Sequence, residues 1–131
     1  MIVDSSALVA VILAEPDAAR YANALTGKAP AERFIAAPNL TEAMILVESR
    51  QGPDAGRDLQ LLVSTVGIEV VPVDEQLALT AVAAWRRFGK GRHPAALNFG
   101  DCFAYALAKQ SDLPLLFKGD DFTQTDIAAW E

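Results

Sequence analysis

The 131-residue chain contains one cysteine, Cys102, and one histidine, His93. A lone cysteine forms neither an internal disulfide nor a thiolate zinc site, which fits a reducing cytosol. A lone histidine excludes the HExxH arrangement, a histidine-rich metal site and paired imidazole acid–base chemistry. Long apolar runs are also missing: the longest, Ala7 to Ala14, falls well short of the roughly 20 residues that span a membrane. No Lys or Arg precedes that run, and Asp4 stands where a secretory signal carries positive charge, so a cytoplasmic protein away from any membrane is expected. Basic residues are the minority. Eleven Lys and Arg against 17 Asp and Glu give a net charge of -6, so overall charge does not draw the chain to nucleic acid or anionic lipid. A phosphate-bearing partner would need a local basic patch or a metal ion. The GxxxxGK[ST] and GxSxG motifs are absent, which removes P-loop nucleotide binding and α/β-hydrolase chemistry. Asp4-Ser5-Ser6 likewise lacks the second Asp of a phosphoaspartyl phosphatase.

What the chain does have is core material. Hydrophobic residues make up 52% and charged residues 21%, enough apolar surface to offset the entropy of folding. The length suits one domain, residues 1–131, with no internal repeat or low-complexity segment.

Short β-branched or apolar runs alternate with helical patterns. Met1 to Asp4 reads as a buried strand, and Ser5 or Ser6 offers an N-cap to a helix over Ala7 to Leu13. Glu15-Pro16 breaks that helix, and Asp17 to Leu25 forms a second, stopped by Gly27 and followed by a loop around Pro30. Phe34 to Ala37 is another strand. Pro38-Asn39 introduces a helix with Leu40, Ala43, Met44 and Val47 on one face, and Asp54 to Val66 is a further helix. Ile68 to Val73 suits a strand, Asp74 caps a helix to about Phe88, Asn98 begins another, and Leu115 to Phe117 makes a last strand. Strands separated by helices imply crossover connections and a mainly parallel sheet, four or five short strands wide, covered on both faces.

In such a sheet, ligands bind along the edge formed by the carboxyl ends of the strands. Asp4 ends the first strand, Asp120 follows the last, and Glu42 and Asp101 each fall in the first turn of a helix, so four acids distant in sequence can meet there. Each has an ordinary alternative. Asn39-x-x-Glu42 and Asn98-x-x-Asp101 both match a capping box, and an Asp after a strand is often a turn residue or a cap. Four acids at one edge repel one another, however, unless a cation neutralises them or some are protonated. A divalent ion is the economical explanation, and oxygen-only ligands suit Mg²⁺ or Mn²⁺. Carboxylates around such an ion suit hydrolysis of a phosphodiester by metal-activated water.

Four segments then carry a resemblance: Ile2 to Leu8 (IVDSSAL), Asn39 to Glu42 (NLTE), Leu97 to Ala108 (LNFGDCFAYALA) and Leu115 to Phe122 (LLFKGDDF). Together they resemble the PIN domain of VapC-type toxins, over nearly the whole chain. The resemblance implies a three-layer α/β/α sandwich and a Mg²⁺- or Mn²⁺-dependent endoribonuclease acting on tRNA or rRNA. It implies Asp4 and Asp101 as principal metal ligands, with Glu42 and Asp120 completing the acidic set; Asp121 and Asp126 lie close by, and Asp120 is preferred because it follows the strand more directly. It also implies a VapB-like antitoxin whose tail covers the site, and a toxin homodimer.

Around this set, Ser6 is expected to bond a carboxylate or a phosphate, or to cap the first helix, and Asn98 to support the site. Lys118 would touch a phosphate or pair with Asp120 or Asp121. Arg86, Arg87, Lys90, Arg92 and His93 would steer phosphates or simply offset a helix dipole. Trp85, Phe88 and Cys102 are expected in the core. Met44 to Val47 leaves open a buried helix or an exposed groove or dimer face. Two competing functions remain: a catalytically silent binding module indifferent to metal, and a metal phosphatase that turns over small esters and leaves RNA intact.

Overall fold

The computed structural model describes residues 1–28 and 32–131; the loop expected around Pro30 lies outside the described residues. Four strands form one parallel sheet: β1 (Ile2–Val3), β2 (Arg33–Ala36), β3 (Ile68–Val71) and β4 (Leu115–Leu116), in the order β3-β2-β1-β4. Ile2 pairs with Phe34 on one side and Leu115 on the other. Helices α1 (Ser5–Ile12) and α2 (Ala18–Thr26) lead from β1 to β2, and α3 (Ala37–Gln51) and α4 (Pro53–Val66) from β2 to β3. Helices α5 (Glu75–Phe88) and α6 (Phe99–Ser111) lead from β3 to β4.

Side chains alternate faces along a strand, and this divides the interior into two cores. Val3, Ile35, Ile68 and Leu116 face the layer that includes Leu8, Tyr21, Leu25, Val47 and Leu59 from α1 to α4. Ile2, Ala36 and Leu115 face the other way, onto Leu77, Ala81 and Phe88 of α5 and Tyr105 and Leu107 of α6. The result is the expected three-layer α/β/α sandwich, with four strands.

The strand order places the ligand edge. The chain steps outward from β1 to β2 to β3, then returns to lay β4 on the opposite side of β1, which makes a topological switch point beyond the carboxyl ends of β1 and β4. The backbone N–H of Asp4 donates to the Leu116 carbonyl at 2.9 Å, so the first residue past β1 remains tied to β4.

Two helix starts differ from expectation. Asp4, not Ser5 or Ser6, is the N-cap of α1: it holds extended backbone angles and its side chain accepts from the Ser6 N–H, so the helix begins at Ser5. Helix α3 begins at Ala37, with Pro38 in its first turn, where the missing N–H loses no bond. Asn39 is therefore inside the helix, and Glu42 sits in its second turn rather than at a cap. In α6 the capping box forms as expected between Asn98 and Asp101. Phe88 and Cys102 are buried, whereas Trp85 is 45% exposed and lines a groove between α5 and α6 with Phe99 and Phe103.

Candidate active site

The switch point opens into a cleft of about 1000 Å³ whose walls include Asp4, Glu42, Asp101 and Asp121. Three of the four expected acids therefore meet. Asp120 does not line this cleft, and its neighbour Asp121 does. The backbone explains the exchange. Gly119 takes a φ of +102°, open to glycine and strained for other residues, and turns the chain as it leaves β4. Phe122, 2% exposed and packed edge-on against Phe117, anchors the far side of the turn. Proximity to the strand in sequence is thus a poorer guide than the turn.

Asp4 is 3% exposed. Its Oδ2 accepts from the Ser6 N–H at 3.0 Å and the Ser6 hydroxyl at 2.5 Å, and the Ser6 Oγ in turn accepts from the Lys118 N–H at 2.9 Å. Ser6 thus bonds a carboxylate and connects it to the backbone just past β4. The other carboxylate oxygen, Oδ1, is buried with no hydrogen-bond partner. Burial pushes the Asp4 carboxyl up to about 6, against the pull of the Ser6 bonds, and Glu42 and Asp121 add repulsion.

Asp101 is also buried, and its Oδ2 accepts from the Asn98 N–H at 3.0 Å while Asn98 Oδ1 accepts from the Asp101 N–H at 2.9 Å. Cap and functional group are here one side chain. Burial raises its carboxyl to about 7, the Asn98 N–H opposes this, and Asp4, Asp121 and Glu42 push it further up. Glu42 Oε1 accepts from the Ser5 hydroxyl at 2.5 Å. Asn39, fully buried, donates from Nδ2 to the Gly100 carbonyl at 2.9 Å and so joins α3 to the first turn of α6.

Most of the expected basic residues fall elsewhere. Lys118 lines the cleft, but its Nζ pairs with Asp17 at 2.9 Å and Glu15 at 3.3 Å, not with Asp120 or Asp121. The guanidinium of Arg92 lies over the Trp85 ring, 4.8 Å from its centroid, and its Nε donates to the Arg86 carbonyl, outside the acid cleft. Arg87 pairs with Asp126, which also accepts from Tyr105 and Lys109 and thus stands away from the acidic set. His93 accepts from the Ala95 N–H and packs edge-on against Phe88.

One cation in the cleft had no place in the sequence reading. Arg50, near the end of α3, lines it together with Glu42, Leu46 and Ser49. The spacing i, i+4, i+7, i+8 from Glu42 puts these residues on one helical face, so the signal was there. Ser5, considered only as a cap, is the second omission, since its hydroxyl engages Glu42. On Met44 to Val47 both alternatives hold in part: Val47 is fully buried, while Ile45 and Leu46 are exposed and wall the cleft.

The donor set fits a hard divalent cation. It is all oxygen, and a buried carboxylate oxygen without a partner is a group that lacks its counter-charge. Among the described residues, no three His, Cys, Asp or Glu side chains stand close enough to cage an ion by themselves.

Known proteins place the chain. The PIN domain family matches residues 1–128. Ribonuclease VapC30 of Mycobacterium tuberculosis is 46% identical over 128 residues, covering 98% of this chain and 96% of that one. Ribonuclease VapC of Mycolicibacterium smegmatis is 46% identical over 129 residues, covering 98% of each. The fold also matches the crystal structure of VapC20 of Mycobacterium tuberculosis, described as a sarcin-ricin loop cleaving toxin, with a TM-score of 0.80 at 18% identity, over 98% of this chain and 97% of that one. VapBC2 from Rickettsia felis, solved on a DNA fragment from its promoter, matches with a TM-score of 0.75 at 14% identity, over 99% and 96%. With its sheet order, its acids at the switch point and these relatives, the chain belongs to the PIN-domain family, in its VapC branch.

Proposed function

We propose that the chain is a Mg²⁺- or Mn²⁺-dependent endoribonuclease, the toxin of a VapBC-like type II toxin–antitoxin pair, cutting tRNA or rRNA in the cytoplasm. The observation that carries this reading is Asp4: a buried carboxylate lining the cleft, crowded by other acids, with one oxygen held by Ser6 and the other buried without a partner. The curated relatives named ribonucleases support the choice of substrate. Asp4 and Asp101 would hold the ion, with Glu42 and Asp121 as the remaining acids. A bound Mg²⁺ or Mn²⁺ lowers the pKa of a water and offsets charge on the phosphate.

The chain's own groups do the positioning. Ser6 fixes one Asp4 oxygen, leaving Oδ1 for a ligand. The Asn98 N–H fixes one Asp101 oxygen. Arg50 offers the cleft a positive charge for a phosphate beyond the reacting one, and Lys118, held between Glu15 and Asp17, also lines it. Ile45 and Leu46 give the cleft an apolar wall on which the tail of an antitoxin would lie; a homodimer completes the proposed assembly.

The test is cleavage of defined tRNA and rRNA by purified, partner-free protein with Mg²⁺ or Mn²⁺, against EDTA and against Asp4→Asn and Asp101→Asn, each checked for folding. Fragments that need the metal and vanish in both folded variants are expected. Intact RNA together with no Mn²⁺ binding would favour a silent binding module. Turnover of a small phosphate ester with intact RNA would favour a phosphatase.

A further inference from the structure

Glu42 reaches the acid cleft from α3, a different layer from Asp101, and the structure shows what holds it there. Two features converge on its carboxylate. The Ser5 hydroxyl, one residue past the α1 cap, donates to Oε1 at 2.5 Å. The same carboxylate fills the space a side chain at residue 100 would take: a β-carbon there would collide with Oε1, Oε2 and Cδ of Glu42. Gly100 is helical and its φ is not in the left-handed region, so backbone conformation does not call for glycine there. Space does. Asn39 keeps the two helices at this approach through its buried bond to the Gly100 carbonyl.

The geometry points to Ser5 and Gly100 as positioning residues for Glu42: a hydroxyl and a missing side chain form a seat that aims its carboxylate into the cleft beside Asp4 and Asp101. The inference builds on the metal-site reading above. It assigns the glycine of the Asn-Phe-Gly-Asp segment a reason to be glycine. The atom that a β-carbon would meet is the far end of a flexible side chain, so Gly100→Ala moves Glu42 out of its seat and leaves the helix intact. Alanine is also the better helix former, so displacement of Glu42 comes without unfolding.

The experiment is a Mn²⁺ titration of the full chain, free of any partner protein, followed by electron paramagnetic resonance or calorimetry. It compares the parent with Ser5→Ala, Gly100→Ala, Glu42→Gln, and Gly100→Ala combined with Glu42→Gln, and thermal unfolding of each in EDTA. Groups that orient a ligand typically contribute 10- to 100-fold in metal affinity, so Gly100→Ala and Ser5→Ala are each expected to raise the Mn²⁺ Kd by about tenfold. Gly100→Ala should unfold at the parent's temperature or above, and should add nothing once Glu42→Gln is present.

A Gly100→Ala protein that binds Mn²⁺ as the parent does refutes the seat. So does one that weakens Mn²⁺ binding equally with and without the Glu42 carboxylate. If Gly100→Ala unfolds, Ser5→Ala decides alone, since alanine suits the first turn of a helix: unchanged Mn²⁺ affinity overturns the inference. Failure of the underlying reading looks different, because then the parent itself binds no Mn²⁺ and Asp4→Asn changes nothing.

Discussion

Replacing Asp4 with Asn should stabilise the metal-free protein near neutral pH, although the residue is 97% shielded in the sense that only 3% of its surface is exposed. Its carboxyl sits at about 6 in the folded state, against an ordinary 3.8, because burial penalises the charge more than the Ser6 bonds favour it. Between those two values the folded protein keeps a proton that the unfolded chain has lost. Stability therefore falls as pH rises through about 4 to 6, and the penalty is complete above that window. A displacement of that size corresponds to about 3 kcal/mol. Asparagine carries no charge and is as good an N-cap as aspartate, so the bond from the Ser6 N–H persists.

Allowing for imperfect placement of the amide, the expected gain at about pH 8 in EDTA is roughly 2 kcal/mol, or about 6–10 °C in Tm for a domain of this size. At about pH 3.5, where Asp4 is largely protonated in the folded and unfolded states alike, parent and variant should converge. Thermal unfolding followed by circular dichroism at both pH values measures this directly. In saturating Mn²⁺ the order reverses, because the parent gains about 2.7 kcal/mol at a hundred times its Kd and the variant gains little. An Asp4→Asn protein that is less stable than the parent at both pH values, by the same amount, would refute the reasoning: the ionised carboxylate would then be a net stabiliser, and no counter-charge would be missing.

The two aspartates after β4 should separate in function: Asp121→Asn weakens Mn²⁺ binding several-fold, whereas Asp120→Asn leaves it at the parent value, as calorimetry on the two proteins would show. Arg50→Ala should weaken RNA binding in a catalytically dead Asp101→Asn background and lower the salt slope of binding by about 1, with Mn²⁺ affinity unaltered. Asp126 is held to about 2 by the Tyr105 hydroxyl and Lys109, with Arg87 adding to the pull. Its stabilisation is therefore present above the ordinary 3.8 and lost as pH falls through about 4 to 2. Because that carboxylate is a third exposed, Asp126→Asn should lower stability by only about 1 kcal/mol in urea unfolding at neutral pH, and leave Mn²⁺ binding intact.

Much of this was legible in the sequence because period and punctuation agreed. Asp74, Asn98 and Gly52-Pro53 mark helix ends that the structure reproduces, and the short buried strand expected at Ile2 and Val3 is present. The acids at Asp4, Glu42 and Asp101 could be gathered from topology alone, since parallel order puts strand ends along one edge. Three matters of side-chain direction escaped. A capping pattern at Asn39 fitted Glu42 equally well until Pro38 turned out to lie inside the helix, one residue after its start. The choice between Asp120 and Asp121 depends on a single positive φ at Gly119. The partners of Lys118 come from the loop between α1 and α2, more than a hundred residues away in the chain, where no local pattern reports them.

The acidity that made RNA an awkward substrate for this chain has a place in the same argument. A net charge of -6 repels a polyanion at long range, yet the acids with raised carboxyls are those turned inward at the switch point, Asp4 and Asp101, and they hold protons more tightly than exposed ones do. Mutual repulsion in that cluster destabilises the folded protein when nothing neutralises it. The fold tolerates the strain because the parts that bear it are tied elsewhere: Asp4 to β4 through its backbone and Ser6, Asp101 to Asn98, Glu42 to Ser5, and α3 to α6 through Asn39. Each acid thus has one oxygen engaged by the scaffold. A cluster of mere helix caps would need no common cleft and no glycine cut away beneath Glu42. The two together fit the metal-site reading proposed above, in which a cation would neutralise the cluster.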